Sequence, residues 1–177
     1  MQPLHTPRLI LQPFAPSDYP NLYRLYQDPA VTQYTGEVPF ASVEAVATAF
    51  ADYAEQQYKP FSTGRLNVVE KATGAFVGWC GLKTLENGTV DLDFRLLPAF
   101  WGKGYATEAS MACLRYGFEV LGLAAIVSDA LVANKASIRV KEKLGMRPIH
   151  QGYFEGQPAM LYQIDRDTYH CLWPEEA

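Results

Sequence analysis

The sequence predicts an α/β or α+β fold, with helices packed around a mixed sheet, and three observations carry that prediction. Val90 to Leu96 alternates apolar and charged residues with the two-residue period of a strand. Two turn signals, Lys71-Ala72-Thr73-Gly74 and Glu86-Asn87-Gly88, join it to earlier strands as an antiparallel run. Beyond it the chain passes through Pro98, Gly102 and Gly104 into a helical pattern, and then through a further strand, helix and hairpin.

In chain order, Arg8 to Gln12 is a short strand bracketed by Pro7 and Pro13. Ser17 is expected to cap a helix whose Tyr19, Leu22, Tyr23 and Tyr26 share a face, with Pro29 stopping it. After a loop through Gly36 and Pro39, Val43, Val46, Ala47, Phe50 and Ala54 recur at the spacing of one apolar helix face. Strands over Leu66–Glu70 and Phe76–Leu82 lead into Val90–Leu96, which sets Asp91, Asp93 and Arg95 on the face opposite its apolar residues. The helix after the glycines is expected to bury Ala106, Ala109, Cys113, Tyr116, Gly117 and Val120. Ala124 to Ala130 reads as a buried strand. Asn134 is expected to cap a helix through Leu144, with Ala136, Val140 and Leu144 inward and Gly145 as its left-handed terminator. Strands around Ile149–Phe154 and Met160–Asp165 and a helix near Arg166–Leu172 complete the pattern. With no linker, repeat or low-complexity stretch, residues 1–177 read as a single domain.

Bulk properties bound the function. At 177 residues, 49% hydrophobic and 19% charged, the composition is that of a globular domain with a real core. The net charge of −4 and the lack of a basic run argue against nucleic acid as partner. Cys80, Cys113 and Cys171 are widely spaced and read as reduced thiols, two of them in the core. His5, His150 and His170 have no metal-ligand spacing, so no metal is expected. The N-terminus has no signal-peptide pattern and no apolar run reaches membrane-spanning length. A cytoplasmic protein without a membrane partner is therefore expected.

The segment Arg95 to Ala109 is the most specialised. Glycines at 102 and 104 permit a tight turn with backbone amides accessible, and the following helix adds unpaired N–H groups and a positive dipole end. That arrangement suits a phosphate, although Gly-x-Gly also occurs in plain turns. Lys103 is followed by Gly104 and not by Ser or Thr, so the segment is not a P-loop. Position 107 is Thr, so the dinucleotide fingerprint fails as well.

Taken together, four stretches resemble the GCN5-related N-acetyltransferases (GNAT), and more closely their ribosomal-protein-type branch. They are Thr6-Pro7-Arg8-Leu9-Ile10-Leu11; Asp91-Leu92-Asp93-Phe94 with Trp101-Gly102-Lys103-Gly104-Tyr105-Ala106-Thr107-Glu108-Ala109; Asn134-Lys135-Ala136-Ser137; and Glu142-Lys143-Leu144-Gly145-Met146. The resemblance implies a mostly antiparallel sheet of about seven strands, splayed centrally and flanked by helices. It implies acetyl-CoA as cosubstrate and a primary amine as acceptor, either a protein N-terminus or a small molecule. The pyrophosphate is then expected on the amides of Gly102, Lys103, Gly104, Tyr105 and Ala106, beside Trp101. The pantetheine is expected along the strand end at Leu96 and Leu97, with contacts from Asn134 and Ser137.

Direct attack by an amine needs a base, an oxyanion donor and an acid for the departing thiolate. Asp91 and Asp93 are the candidate bases. The family more commonly has glycine at the position of Asp93. The tyrosine that many relatives use as acid is replaced here by Lys141, and Ser137, one helical turn earlier, is the candidate acid. Each residue also has a plainer reading: a solvated strand face for the two aspartates, a helix cap for Asn134, and helix-dipole stabilisation for Glu108. Tyr34, Phe40, Trp79, Tyr153 and Phe154 are candidate linings for an acceptor pocket, or core aromatics. Two other functions stay open at this point: an acyl-CoA-binding module without chemistry, and transfer of a different acyl group. A monomer and a homodimer are equally compatible with the sequence.

Overall fold

In the computed structural model, which describes residues 2–36 and 38–174, the strands form one sheet. The elements in order are β1 (Leu4–His5), β2 (Leu9–Gln12), α1 (Tyr19–Gln27), α2 (Pro29–Thr32), α3 (Val43–Phe61), β3 (Gly64–Glu70), β4 (Phe76–Thr84) and β5 (Val90–Leu96). There follow α4 (Tyr105–Arg115), β6 (Ala125–Leu131), α5 (Lys135–Lys143), β7 (Arg147–Phe154), β8 (Gln157–Asp165) and α6 (Arg166–Leu172). The sheet order is β1-β2-β3-β4-β5-β6-β8-β7, antiparallel throughout except at β5 and β6. There are eight strands where about seven were expected, because Leu4–His5 folds back onto Ile10–Leu11 as an extra edge.

Each face of the sheet carries its own core. On one, Leu92, Leu96 and Ile126 pack with Ala109, Cys113 and Leu114 of α4 and with Leu144 and Tyr169. On the other, Trp79 packs with Leu22, Leu25 and Tyr26 of α1 and Val46 and Phe50 of α3. The alternation of β5 assigns its two faces as the sequence implied: Leu92 and Leu96 to the α4 side, Asp91, Asp93 and Arg95 to the α1 side.

Several local expectations are corrected. Ser17 caps nothing: Pro16–Asp18 is a single 3₁₀ turn, closed by Asp18 accepting from the Ala15 N–H. Pro29 begins α2 rather than ending α1, because a proline at the first helical position forfeits no hydrogen bond, and Asp28 caps it from the Ala30 N–H at 2.9 Å. Val120 is 67% exposed, since α4 gives way to a π-helical turn over Tyr116–Val120 that shifts its facing. Ala136 is exposed, and the fully buried member of α5 is Lys141. Ser42 caps α3 by accepting from the Ala45 N–H, and the Gly145 terminator, at φ 77°, is as expected.

Two features shape the centre of the sheet. β5 and β6 share one registered pair, Asp91 with Val127, and Ser128 Oγ donates to the Leu92 carbonyl at 2.5 Å just beyond it. After these the two strands diverge. Meanwhile β5 stays paired to β4 as far as Leu96 opposite Gly78, and the Leu97 N–H continues onto the Val77 carbonyl at 2.9 Å. A Cβ on Gly78 would lie 2.1 Å from the Arg95 carbonyl oxygen, so a glycine is required for β5 to lean this close to β4. Leaning towards β4 carries the end of β5 away from β6.

Candidate active site

The divergence of β5 from β6 opens a cavity of about 750 Å³ that continues to the start of α4. Its walls include Asp91, Asp93 and Phe94 from β5, Asp129 to Leu131 from β6, and Asn134, Ser137 and Val140 beside α5. Trp101, Gly102, Gly104, Tyr105 and Ala106 close one end. The Leu97 N–H points to β4, so by alternation Phe94 and Leu96 direct their backbone groups into the gap. Two of these are taken: the Phe94 N–H donates to Asp93 Oδ1 at 2.8 Å, and the Leu96 carbonyl accepts from Trp101 Nε1 at 2.7 Å, which folds the indole against the strand end.

The loop forms because Pro98–Phe100 makes a 3₁₀ turn and Gly102 and Gly104 then take left-handed conformations, φ 72° and 81°. Gly104 is the N-cap of α4 and has no side chain to satisfy the first-turn amides, which leaves them for a ligand. The loop is braced from behind. Arg8 Nη1 donates to the Lys103 carbonyl at 2.9 Å, and its guanidinium lies 4.5 Å above the Tyr105 ring. Glu108 holds Arg8 in place: its carboxylate lies 2.6 Å from Arg8 Nη2 and accepts from Thr6 Oγ1 at 2.6 Å and the Arg8 N–H at 2.8 Å. Glu108 is therefore a clamp between the first hairpin and α4, beyond the dipole role its position suggested.

Leu96, Trp101, Gly102, Gly104, Tyr105, Ala106, Asn134 and Ser137 all line the cavity, with Asp91 and Asp93. Two residues singled out from sequence do not. Leu97 packs into the α1-side core, and the exposed Lys103 folds its ammonium over Phe100 at 5.2 Å. Of the aromatic candidates, Tyr34 and Phe154 reach the wall, Trp79 is core, Phe40 lies in a separate hollow, and Tyr153 is 79% exposed.

The carboxylates differ in setting. Asp93 accepts the Phe94 N–H at 2.8 Å and lies 3.8 Å from the Arg65 guanidinium. Arg95 is buried, stacked 4.6 Å from the Tyr26 ring and 5.3 Å from Trp79. Asp91 is pushed up to about 7, first by burial and then by the charges of Asp93 and Asp129, against the pull of Lys141 and Arg65. Burial and Asp93 likewise raise Asp129. Asp129 was missed from sequence, although a charge inside the apolar run Ala124–Ala130 was a usable signal. The row Lys135, Arg139 and Lys143, at i, i+4 and i+8, was missed too, and it gives α5 a basic edge on the cavity.

On α5, Asn134 Oδ1 accepts from the Ser137 N–H at 3.1 Å, an N-cap that fixes Ser137 at the wall. Behind it Lys141 Nζ donates to Ser137 Oγ at 2.9 Å. Cys80 and Cys113 are buried with sulfurs 3.7 Å apart. The hydrogen bond with Cys80 and then burial hold the Cys113 thiol well above its usual range, so neither offers a nucleophile.

A glycine-loop helix start, a sheet splayed at one parallel pair and carboxylates at the splay thus share one cavity. The model of the acetyltransferase (GNAT) domain matches residues 8–147, and the chain belongs to this family of acetyltransferases. It is 33% identical over 148 residues to the uncharacterized protein YkkB of Bacillus subtilis (strain 168), covering 81% of this chain and 84% of that one. It is 32% identical over 154 residues to an FsC-acetyl coenzyme A-N(2)-transacetylase of Aspergillus fumigatus, covering 81% and 64%. Among solved structures, a GNAT-family acetyltransferase from Bacillus anthracis superposes with a TM-score of 0.82 at 23% identity, covering 94% of this chain and 99% of that one. A spermidine N-acetyltransferase from Vibrio cholerae, in complex with CoA and spermine, does so with 0.79 at 18% identity, covering 93% and 99%. These two likenesses are of fold. Among the described residues, no helix is long and apolar enough to cross a membrane, and no group of side chains could hold a metal.

Proposed function

We propose that the protein transfers the acetyl group of acetyl-CoA to a primary amine by direct attack, within a single domain spanning residues 1–177. The observation that carries this reading is the gap between β5 and β6, which runs from Asp91 to the amides at the start of α4. In this reading the pyrophosphate lies on Gly102, Gly104, Tyr105 and Ala106, with the Lys135–Arg139–Lys143 edge contributing positive charge. The pantetheine amides bond the Phe94 carbonyl and the Leu96 N–H as an added strand would. An N–H at the end of β5 stabilises the oxyanion.

Asp91 serves as base. Its elevated proton affinity suits removal of a proton from the attacking amine near neutral pH, while Asp93 is engaged by the Phe94 N–H and Arg65. Ser137 protonates the departing sulfur from the cavity wall. The opening stretch Thr6–Leu11 and the Asn134–Ser137 segment favour the ribosomal-protein-type branch. The relatives named for FsC and spermidine acetylation favour a small amine over a protein N-terminus, and three carboxylates at the gap suit a cationic acceptor. A cytoplasmic location fits this chemistry.

Thiol release from acetyl-CoA with a panel of diamines, polyamines, amino-acid amides and N-terminal peptides, followed by mass detection of the product, tests the reading. Acetylated product with at least one amine, lost in Asp91→Asn, is expected. Tight CoA binding with no release for any acceptor would make the protein a binding module instead.

A further inference from the structure

Lys141 is a charged side chain enclosed in the interior, 1% exposed, on a helix whose other basic residues face outward or into the cavity. A buried ammonium is costly unless its donors and its charge are answered. One donor is answered by Ser137 Oγ at 2.9 Å, and the charge sits 5.3 Å above the Phe94 ring. Burial lowers its proton affinity, and the carboxylates of Asp93, Asp129 and Asp91 at the rim work against that by favouring the charged form. The geometry is two-sided: α5 packs on the α4 side of the sheet, whereas Asp91 and Asp93 belong to the α1 side. The gap between β5 and β6 connects them, with carboxylates at one mouth and Ser137 backed by Lys141 at the other.

We propose that Lys141 is a positioning residue for acyl transfer, holding the Ser137 hydroxyl in place and supplying the proton that Ser137 hands to the departing CoA thiolate. The inference rests on the acetyl-CoA reading of this cavity. As the C–N bond to the acceptor is complete and the C–S bond breaks, the electron pair of that bond goes to sulfur. The Ser137 hydroxyl proton passes to sulfur, and a proton from the Lys141 ammonium replaces it on Ser137 Oγ. Lys141 is left neutral; the acceptor enters as the free amine, and the proton its nitrogen loses to Asp91 as the amide forms balances the one Lys141 gives up.

The charge of Lys141, transmitted through Ser137, also stabilises a thiolate in the product complex, where no acceptor is needed. The test is therefore the acidity of enzyme-bound CoA, followed by ultraviolet thiolate absorbance from about pH 6 to about pH 10, against desulfo-CoA on the same protein. The bound thiol is expected to titrate about one unit higher in Lys141→Met than in the unmodified protein, and to return in Lys141→Arg. Ser137→Ala, which interrupts the same contact at the cavity wall, is expected to raise it likewise and serves if the Met variant does not fold. The kcat–pH profile should lose its descending limb in Lys141→Met.

An unchanged thiol titration in folded, CoA-binding Lys141→Met, or in Ser137→Ala, overturns the proposal even where acetylation proceeds. A raised titration in a protein that acetylates no amine would overturn the acyl-transfer role together with the transferase reading, whereas an unchanged titration in one that does acetylate would overturn this inference alone. Failure of the unmodified protein to bind CoA overturns both.

Discussion

Asp91 and Val127 are the one registered pair between the parallel strands β5 and β6 among the described residues, and the active-site cavity begins where that pairing ends. The residue that closes the ladder thus also stands at the head of the cavity. Burial at that position, and then the charges of Asp93 and Asp129, raise the proton affinity of its carboxyl.

A signed pH prediction follows from that rise. With Asp91 as the proposed base, kcat/KM should climb with pH through about 7. Stability should run the other way. A carboxyl with a folded pKa of about 7 and an ordinary value of 3.8 binds its proton more tightly in the native state. Its favourable contribution is present at low pH and lost as pH rises between those values. Asp91→Asn should therefore melt higher than the unmodified protein at pH 8 and similarly at pH 4, while losing about 10²-fold in turnover. Thermal melts at the two pH values check the first part, and initial rates the second.

Gly104 should separate binding from folding. At φ 81°, an alanine costs about 1–2 kcal/mol of backbone strain and points its methyl group to within 3.4 Å of Arg8 Nη2. Gly104→Ala should remain folded with a lowered melting temperature and lose at least about tenfold in CoA affinity by calorimetry. Lost stability with full affinity in the folded fraction would make the turn structural.

Gly78 is a structural glycine remote from any ligand. Gly78→Ala sets a Cβ 2.7 Å from the Leu96 Cα as well as against the Arg95 oxygen, both backbone atoms that cannot swing aside. A loss of about 3 kcal/mol or more is expected from denaturant titration, in the range of severe steric substitutions. In any fraction that remains folded, β5 should be pushed towards β6 and CoA affinity should fall.

Glu108→Gln should release Arg8 from its ion pair and weaken its bond to the Lys103 carbonyl. About 1 kcal/mol of stability is expected to go with the charge-assisted bonds. The functional readout is a raised KM for acetyl-CoA with kcat nearly unchanged, because the clamp supports the loop and not the reacting atoms.

Most of the framework was legible because it is written in local periodicity. β5 was bounded correctly as Val90–Leu96, α6 as Arg166–Leu172, and the cap at Asn134 followed from side-chain chemistry one turn away. What escaped was set by contacts between distant segments. Nothing local in Leu4–His5 announces a strand, since its pairing partner supplies the pattern. Glu108 is an ordinary first-turn acid until Arg8, a hundred residues earlier, folds against it. Gly78 looks like a weak point in a strand, and only the approach of β5 gives it a purpose. Lys141 was recognised only as a missing tyrosine. The sequence shows that it lies one turn from Ser137, but its burial depends on how α5 meets the sheet.

The central claim is that the gap between β5 and β6 together with the loop before α4 holds acetyl-CoA. Amide hydrogen exchange of the full chain with and without saturating CoA tests it most directly. The account predicts slowed exchange at the amides of Gly102, Gly104, Tyr105 and Ala106 and at Leu96 in β5, with the remote strands β1 and β2 unaffected. Absence of CoA binding, or protection confined to surfaces away from Asp91–Leu96 and Gly102–Ala106, would contradict it.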